Sequence, residues 1–411
     1  MSNDVREWMQ DVSGPGWTWF VKRLSGNDTL ANGSHQAGPY VPKPIALRLF
    51  PSLKRSDYNP RVDFPALIAS HGGKADPNII WYNNKLHRQA GNPLHKKWSR
   101  NECRITNWGG AESPVLDPDA TGAICVFAFR QQDPAKDVQG CVVWLCSTLE
   151  EEDAVEDQVG PVEPGEGFEY DASTTIPPLT EPQDTPCTLK PEDIPAEWKI
   201  TFPDGLTIVN MTVDRLPSVK KLSPDQRLVR RRDCEFELFR SVEQAAVLPR
   251  IKEGFTQVEH FIKYANAVTN RRKQRSGKSL ELQAKRIFDE ESLPHAHNEM
   301  SEGGKRPDFL FPSIDAYRSG TFPPEKLRML AAKTTCKDRW RQIIPEADRV
   351  VPHKHLLTLQ LGISVTQFKQ MQEAGVLLVV PKSLHKSYNE AIRPQLISLE
   401  TFIGETKAKC F

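Results

Sequence analysis

The sequence predicts a multidomain chain in which an all-β N-terminal domain precedes an α/β C-terminal one, and three observations carry that expectation. From about Trp17 to Leu149 short apolar runs alternate with turn residues. After about Trp198 apolar residues recur at helical spacing. Between the two lies a stretch dense in acid, proline and glycine. At 411 residues the chain is also too long for one ordinary domain, and two or three are expected.

The N-terminal runs are PIALRLF, FPALIAS, NIIWYN, ECRITNW, AICVFAF and CVVWLCS, rich in aromatic and β-branched residues. A helix is expected only near Pro44 to Leu49, so the region reads as a small barrel or sandwich. The segment TLEEEDAVEDQVGPVEPGEGFEYDASTTIPPLTEPQDTPCTLKPEDIP is too poor in apolar residues to offset its ordering entropy and reads as a linker, either free or partly packed on a neighbour. Beyond it, SPDQRLVRRRDCEFELFRSVEQAAVL, FTQVEHFIKYANAVTNRR, SLELQAKRIFDEE, VTQFKQMQEAG and ISLETFIGETK have helical periodicity. DFLF, LRMLAA, HLLTLQ and VLLVV have the length and flanks of buried strands. Helices alternating with strands predict a mixed sheet flanked by helices. The expected boundaries are residues 1–170 for the first domain, 171–195 for the linker and 196–411 for the second.

Lys plus Arg number 54 against 53 Asp plus Glu, a formal charge of +1, so any nucleic-acid surface must arise from local segregation of charge. The eight cysteines form no C-x-x-C pair and no zinc spacing, and read as reduced intracellular thiols. The N-terminus MSNDVREWMQ lacks a signal-peptide pattern. No apolar run approaches the roughly 20 residues of a membrane helix, so a cytoplasmic protein without membrane attachment is expected.

One constellation carries chemistry. Metal-assisted phosphodiester hydrolysis needs carboxylates to hold the ion and a cation to meet the developing negative charge. In RPDFLFP, Asp308 opens an apolar strand; in LRMLAAK, Lys333 closes the next. The intervening SIDAYRSGTFPPEK leaves room for a turn that brings the second strand back beside the first. Glu281, in a helix expected to begin near Ser279, and Glu346, just after KDRWRQI, are within reach of the same pocket. The competing reading is a turn cap and a solvated charge.

Next to Lys333 stand Lys337, Asp338 and Arg339. In the major groove guanine offers two acceptors that suit Lys or Arg, and cytosine an amino donor that suits Asp, so this trio matches G·C readout; otherwise it is a solvated helix start. RRKQRSGK, residues 271–278, holds Arg271, Arg272, Lys273, Arg275 and Lys278 without an acid, and reads as a phosphate-positioning surface or a solvated loop. Gly277-Lys278-Ser279 imitates a nucleotide-binding loop, but the glycine required five places earlier is Arg272. His295-Ala-His297 and His353-Lys-His355 read as exposed imidazoles rather than metal pairs, and Trp340 as a buried ring.

RKQRSGKSLEL, RPDFLFPS, LRMLAAKTTCKDRWRQI and VVPKSLHKSYNEA resemble the catalytic domain of the EcoRII group of restriction endonucleases, within the PD-(D/E)xK superfamily. KRLSGNDT, SHQAG and SRNECRITNWG resemble the group's N-terminal effector-binding domain. The acid that the general motif places two residues before the lysine is here Ala331; in the EcoRII group a later acid replaces it, and Glu346 matches that position. The resemblance therefore implies an active centre of Asp308, Lys333 and Glu346, with Asp308 and Glu346 on the metal and Glu281 completing the set.

By the same resemblance the protein is a homodimeric, Mg2+-dependent type IIE restriction endonuclease of a restriction-modification system. It would cut double-stranded DNA at CCWGG before the first cytosine, with Lys337, Asp338 and Arg339 reading the outer base pairs. A cognate cytosine methyltransferase would act on the same site without needing to bind the enzyme. The N-terminal domain would be a B3-like pseudobarrel that binds a second DNA copy and relieves an inhibition it imposes. In that domain Arg100, Glu102 and Arg104 alternate and would share one face of a strand, with Lys22, Arg23, His35, Gln36, Lys96 and Lys97 lining the same groove. Two rivals remain at this point. A non-catalytic DNA-binding regulator would not need Asp308 and Lys333 together, and a structure-specific repair nuclease would not need the base-reading trio.

Overall fold

The structure, a computed structural model, describes residues 4–33, 38–87, 100–165, 167–170 and 186–410. Two compact units emerge. One comprises Met1–Leu179 with Gln360–Phe368 and Ser387–Ile392; the other comprises Thr180–Leu359, Lys369–Lys386 and Arg393–Phe411.

The first unit holds α1 (Val5–Asp11), α2 (Lys43–Leu49) and α3 (Leu149–Val159), with β1 (Trp17–Arg23), β2 (Tyr40–Val41), β3 (Arg61–Asp63), β4 (Ala66–Ile68), β5 (Gly73–Ala75), β6 (Asn78–Tyr82), β7 (Glu102–Thr106), β8 (Ile124–Arg130), β9 (Gly140–Leu145) and β10 (Gly167–Tyr170). They form a six-stranded sheet, β10-β1-β8-β9-β4-β5, and a four-stranded sheet, β2-β7-β6-β3. Strand alternation gives the larger sheet two buried faces. Phe20, Cys125, Phe127 and Phe129 meet Ile79, Cys103 and Ile105 of the smaller sheet, while Trp19, Val21, Val126 and Ala128 meet Trp8 of α1 and Val155 of α3.

The acidic segment is therefore not a linker throughout. Thr148 and Glu151 form a reciprocal capping box that starts α3, and Ala154 and Val155 cover the sheet. Summed acidity hid a short apolar stripe. Residues 171–185 of the expected linker lie outside the described residues, whereas Cys187, Leu189 and Ile194 pack against Ile208, Cys234, Leu238 and Val242 in the second unit. Cys187 and Cys234 are joined in a disulfide, which corrects the expectation of eight reduced thiols; the other six cysteines are free and buried.

The second unit contains α4 (Ala196–Ile200), α5 (Gly205–Arg215), α6 (Pro224–Glu253), α7 (Val258–Glu290), α8 (Ile314–Arg318) and α10 (Leu399–Cys410), while α9 (Val365–Glu373) crosses its boundary. Its sheet runs β11 (Ala296–His297), β12 (Phe309–Phe311), β13 (Arg328–Ala332), β14 (Lys354–Leu357) and β15 (Val376–Val379) in that order. β11, β12 and β13 are antiparallel neighbours; β13, β14 and β15 are parallel. Phe309, Phe311 and Leu330 pack under Phe288 of α7 and Phe402 of α10. The two helices expected around RRKQRSGK are one, because the basic run is helical throughout α7. No helix of the described residues is long and apolar enough to cross a membrane.

Candidate active site

The antiparallel register places the start of β12 beside the end of β13: Phe309 lies opposite Leu330, and Asp308 precedes the one as Lys333 follows the other by a few residues. Asp308 Oδ2 accepts the Ala332 N–H at 2.8 Å and the Lys333 ammonium at 3.2 Å. Asp308 is 9% exposed, so this is a nearly desolvated pair opening to solvent through the half-buried lysine. The Lys333 N–H is itself fixed to Leu357 O of β14 at 2.9 Å.

Glu346 belongs to the same electrostatic field. Burial raises its carboxyl above the ordinary range; Lys333 works against that rise and Asp308 adds to it. Ala331 is fully buried in the sheet, and Glu346 stands in the loop before β14. Glu281 is held by others: its Oε1 accepts from His297 Nε2 at 2.6 Å and from the Asn298 side-chain amide. Asn298, in the left-handed conformation with φ 55°, also donates its backbone N–H to Asp308 O at 3.1 Å. Glu281 therefore reaches the Asp308 strand through Asn298, a link its sequence position did not announce. Burial opposes the Glu281 charge, but His297 and Lys278 more than compensate and hold its carboxyl below the usual value.

Among the described residues no group of three or more His, Cys, Asp or Glu side chains is arranged to hold a metal. Two oxygen donors with mutual repulsion, Asp308 and Glu346, nevertheless suit a hard divalent cation, which takes its other ligands from water and phosphate.

Lys337, Asp338 and Arg339 are half-buried at the entry of a 3-10 turn, Arg339–Ile343. The Asp338 carboxylate accepts from Arg341 at 2.8 Å, a partner three residues on that the sequence pattern did not single out. Trp340 is buried with the Arg341 guanidinium over its ring.

The basic run of α7 is divided by its partners. Arg272 makes a bidentate pair with Glu243 of α6 at 2.7 to 3.0 Å, Arg275 lies 3.6 Å from Glu235 and over Phe236, and Arg271 stacks on Phe202. Lys278 stands 3.8 Å from Glu281. The run is helical rather than a solvated loop, and the acids that answer Arg272 and Arg275 lie on α6. The histidines are also not simply exposed. His355 is 4% exposed against Phe402, its pKa pushed down by burial to about 3, and His297 serves Glu281. Only His353 fits the expectation.

In the first unit Arg104 pairs with Glu102 at 3.3 Å and donates to Gly38 O at 2.9 Å, while Arg100 lies over Tyr82. Lys22 and Arg23 do not line a groove. Lys22 is paired with Asp28 at 2.7 Å, and Arg23 with Glu152 and Glu156 at 2.6 and 3.1 Å; both are almost fully buried. His35, Gln36, Lys96 and Lys97 lie outside the described residues.

Comparison with known proteins follows the same division. The family described as "EcoRII C terminal" matches residues 239–403, and "Restriction endonuclease EcoRII, N-terminal" matches residues 13–172. The chain is 41% identical over 403 residues to the type II restriction enzyme EcoRII of Escherichia coli, covering 97% of this chain and 96% of that one. The chain belongs to the EcoRII family of type II restriction endonucleases.

The family and enzyme class expected from the motifs of this EcoRII-family endonuclease thus hold. Two solved structures are loosely similar. A PspGI restriction endonuclease–substrate DNA complex has a TM-score of 0.42 at 13% identity, covering 54% of this chain and 96% of that one. Metal-depleted Ecl18kI with uncleaved, modified DNA has 0.43 at 19% identity, covering 54% and 85%.

Proposed function

We propose that this EcoRII-family chain is a Mg2+-dependent type IIE endonuclease, acting as a homodimer on double-stranded DNA at CCWGG and cutting before the first cytosine. The observation that carries the catalytic reading is the Asp308 carboxylate 3.2 Å from the Lys333 ammonium at adjoining strand ends, with Glu346 in the same field. Asp308 and Glu346 would hold the Mg2+, which supplies Lewis-acid polarisation of the phosphate and activates the attacking water. Lys333, fixed at its backbone to β14, presents its ammonium to the scissile phosphate, where it stabilises the charge that develops on the phosphoryl oxygens. Asp308 orients that ammonium and, through the Ala332 N–H, is itself oriented. Glu281, with His297 and Asn298, buttresses the Asp308 strand and would complete the active centre.

Lys337, Asp338 and Arg339, four to six residues beyond Lys333, would read the outer G·C pairs, placing readout beside the scissile bond. A near-palindromic site favours a dimer, because each strand needs one active centre. The N-terminal unit, read as a B3-like pseudobarrel, would bind a second copy of the site through the Arg100, Glu102 and Arg104 face and relieve inhibition of the catalytic unit.

The test is digestion of a plasmid of known sequence with the full-length enzyme and Mg2+, with the ends mapped. Cleavage at CCWGG, faster on plasmids with several sites or with a duplex oligonucleotide added in trans, is expected. Ends at unrelated sequences would overturn the specificity, and equal rates on one-site and many-site plasmids would overturn the effector role.

A further inference from the structure

Glu346 stands in a loop without helix or strand, residues 344–350, yet that loop is fixed from outside on both flanks. Before Glu346, Lys354 Nζ donates to Ile344 O and Lys305 Nζ to Pro345 O. After it, Glu302 Oε1 accepts the Asp348 N–H at 2.9 Å, and the Tyr317 hydroxyl, which donates to Glu302 Oε2, accepts the Arg349 N–H at 3.4 Å. Lys305 spans both flanks, since its ammonium also lies 3.7 Å from the Asp348 carboxylate. Ala347, the next residue after Glu346, has φ 51°. A residue with a β-carbon holds that left-handed conformation only where its surroundings over-determine it.

Lys305 and Glu302 bracket a short 3-10 turn that precedes β12, the strand Asp308 opens. The segment just before Asp308 therefore grips the loop that carries Glu346, although the two carboxylates are 38 positions apart (346 minus 308). From this we infer that Lys305 and Glu302 are positioning residues for the endonuclease: they fix the Glu346 loop against the Asp308 strand and so set the affinity of the pocket for a divalent cation. The inference rests on the reading of Glu346 as a metal ligand.

Charge and position make opposite forecasts for Lys305. A lysine that acted only through its field would repel a cation, and its removal would tighten cation binding. A lysine that holds the loop would weaken binding when removed, by the ten- to hundredfold range usual for groups that orient a metal ligand. Lys305→Met is therefore the discriminating variant. It is compared with Lys305→Arg, Glu302→Ala and Glu346→Gln in the full-length enzyme by calorimetric titration with Mn2+, alongside the Mg2+ dependence of single-turnover cleavage and thermal melting.

Lys305→Met and Glu302→Ala are expected to bind Mn2+ about tenfold more weakly. Their half-saturating Mg2+ should rise in parallel while the rate at saturating Mg2+ falls less, and Lys305→Arg should recover most of the loss. Unchanged or tighter Mn2+ binding by Lys305→Met, with binding lost in Glu346→Gln, overturns the inference and leaves the metal reading standing. Wild-type Mn2+ binding by Glu346→Gln overturns the metal reading and the inference with it. Should Lys305→Met melt below the working temperature, Lys305→Arg and Glu302→Ala decide on the same readouts.

Discussion

The Asp308 carboxylate and the Lys333 ammonium lie 3.2 Å apart because β12 and β13 are antiparallel, so that the head of one strand meets the tail of the other. The Ala332 N–H, already committed to Asp308 Oδ2 at 2.8 Å, fixes the carboxylate before any ligand arrives. Such a site costs no reorganisation when charge develops. Asp308→Asn and Lys333→Met should each lower single-turnover cleavage by about 10³-fold or more, with specific DNA binding in Ca2+ kept within a few-fold. Filter binding and cleavage on the same duplex separate the two. Binding lost together with cutting would assign Asp308 a structural role instead.

A second expectation concerns pH. Burial, reinforced by Asp308, raises the Glu346 carboxyl above its ordinary 4.5, so Glu346 takes up its proton at a higher pH than a solvated glutamate. A metal ligand must be deprotonated, hence cation binding releases that proton. Cleavage at sub-saturating Mg2+ should therefore begin to fall, as pH is lowered, above the ordinary carboxylate range, and added Mg2+ should move the midpoint to lower pH. A midpoint that ignores Mg2+ concentration would count against Glu346 as a ligand.

The strand-end pair was legible in sequence because it depends on local order alone: DFLF and LRMLAA are short, apolar and bounded, and Asp308 and Lys333 flank them. The roles of other charges were not. Lys22 and Arg23 end a strand in the manner of surface cations, but the acids that bury Arg23 are Glu152 and Glu156, separated from it by 129 and 133 positions. Arg272 and Arg275 face Glu243 and Glu235 only once α6 and α7 pack together. Periodicity shows which residues are apolar; it does not show which charges neutralise each other across elements. The Cys187–Cys234 bridge, 47 residues apart and free of any C-x-x-C spacing, escaped for the same reason.

His355 supplies a stability test. It is 4% exposed, and burial lowers its pKa to about 3 from the usual 6.5. The unfolded chain therefore binds a proton that the folded one refuses. This favours the native state fully above pH 6.5 and progressively less as pH falls from 6.5 toward 3. At pH 5 the linkage costs about 2 kcal/mol. His355→Leu should flatten the acid side of the melting curve of the second unit without altering it at pH 8, apart from any packing change; an unchanged acid slope would place the titration elsewhere.

Arg23 distinguishes a buried strut from a DNA contact. Its guanidinium holds Glu152 and Glu156 and donates to Val162 O and Gly122 O, tying β1 to α3. Arg23→Met leaves two carboxylates uncompensated and should destabilise the first unit by about 3–5 kcal/mol. At temperatures where the variant stays folded, the salt dependence of DNA binding should keep the wild-type slope, because no phosphate contact has been lost. A slope reduced by about one, without loss of stability, would return Arg23 to the DNA interface.

Asp338 offers the sharpest check of base reading. Its carboxylate is steadied at 2.8 Å by Arg341, three residues on, and half-exposed beyond the buried Trp340. An acid can accept from a cytosine amino group and from no edge of a pyrimidine that lacks one, so Asp338→Ala should relax discrimination at one outer base pair by about 10- to 100-fold, the equivalent of roughly 1–3 kcal/mol. The remaining positions should be read as before. Arg341→Ala, which frees the same carboxylate to rotate, should show a smaller loss at that same base pair. Cleavage rates on duplexes substituted one pair at a time give the profile. A uniform drop across all duplexes would mean that Asp338 supports the turn rather than reading a base.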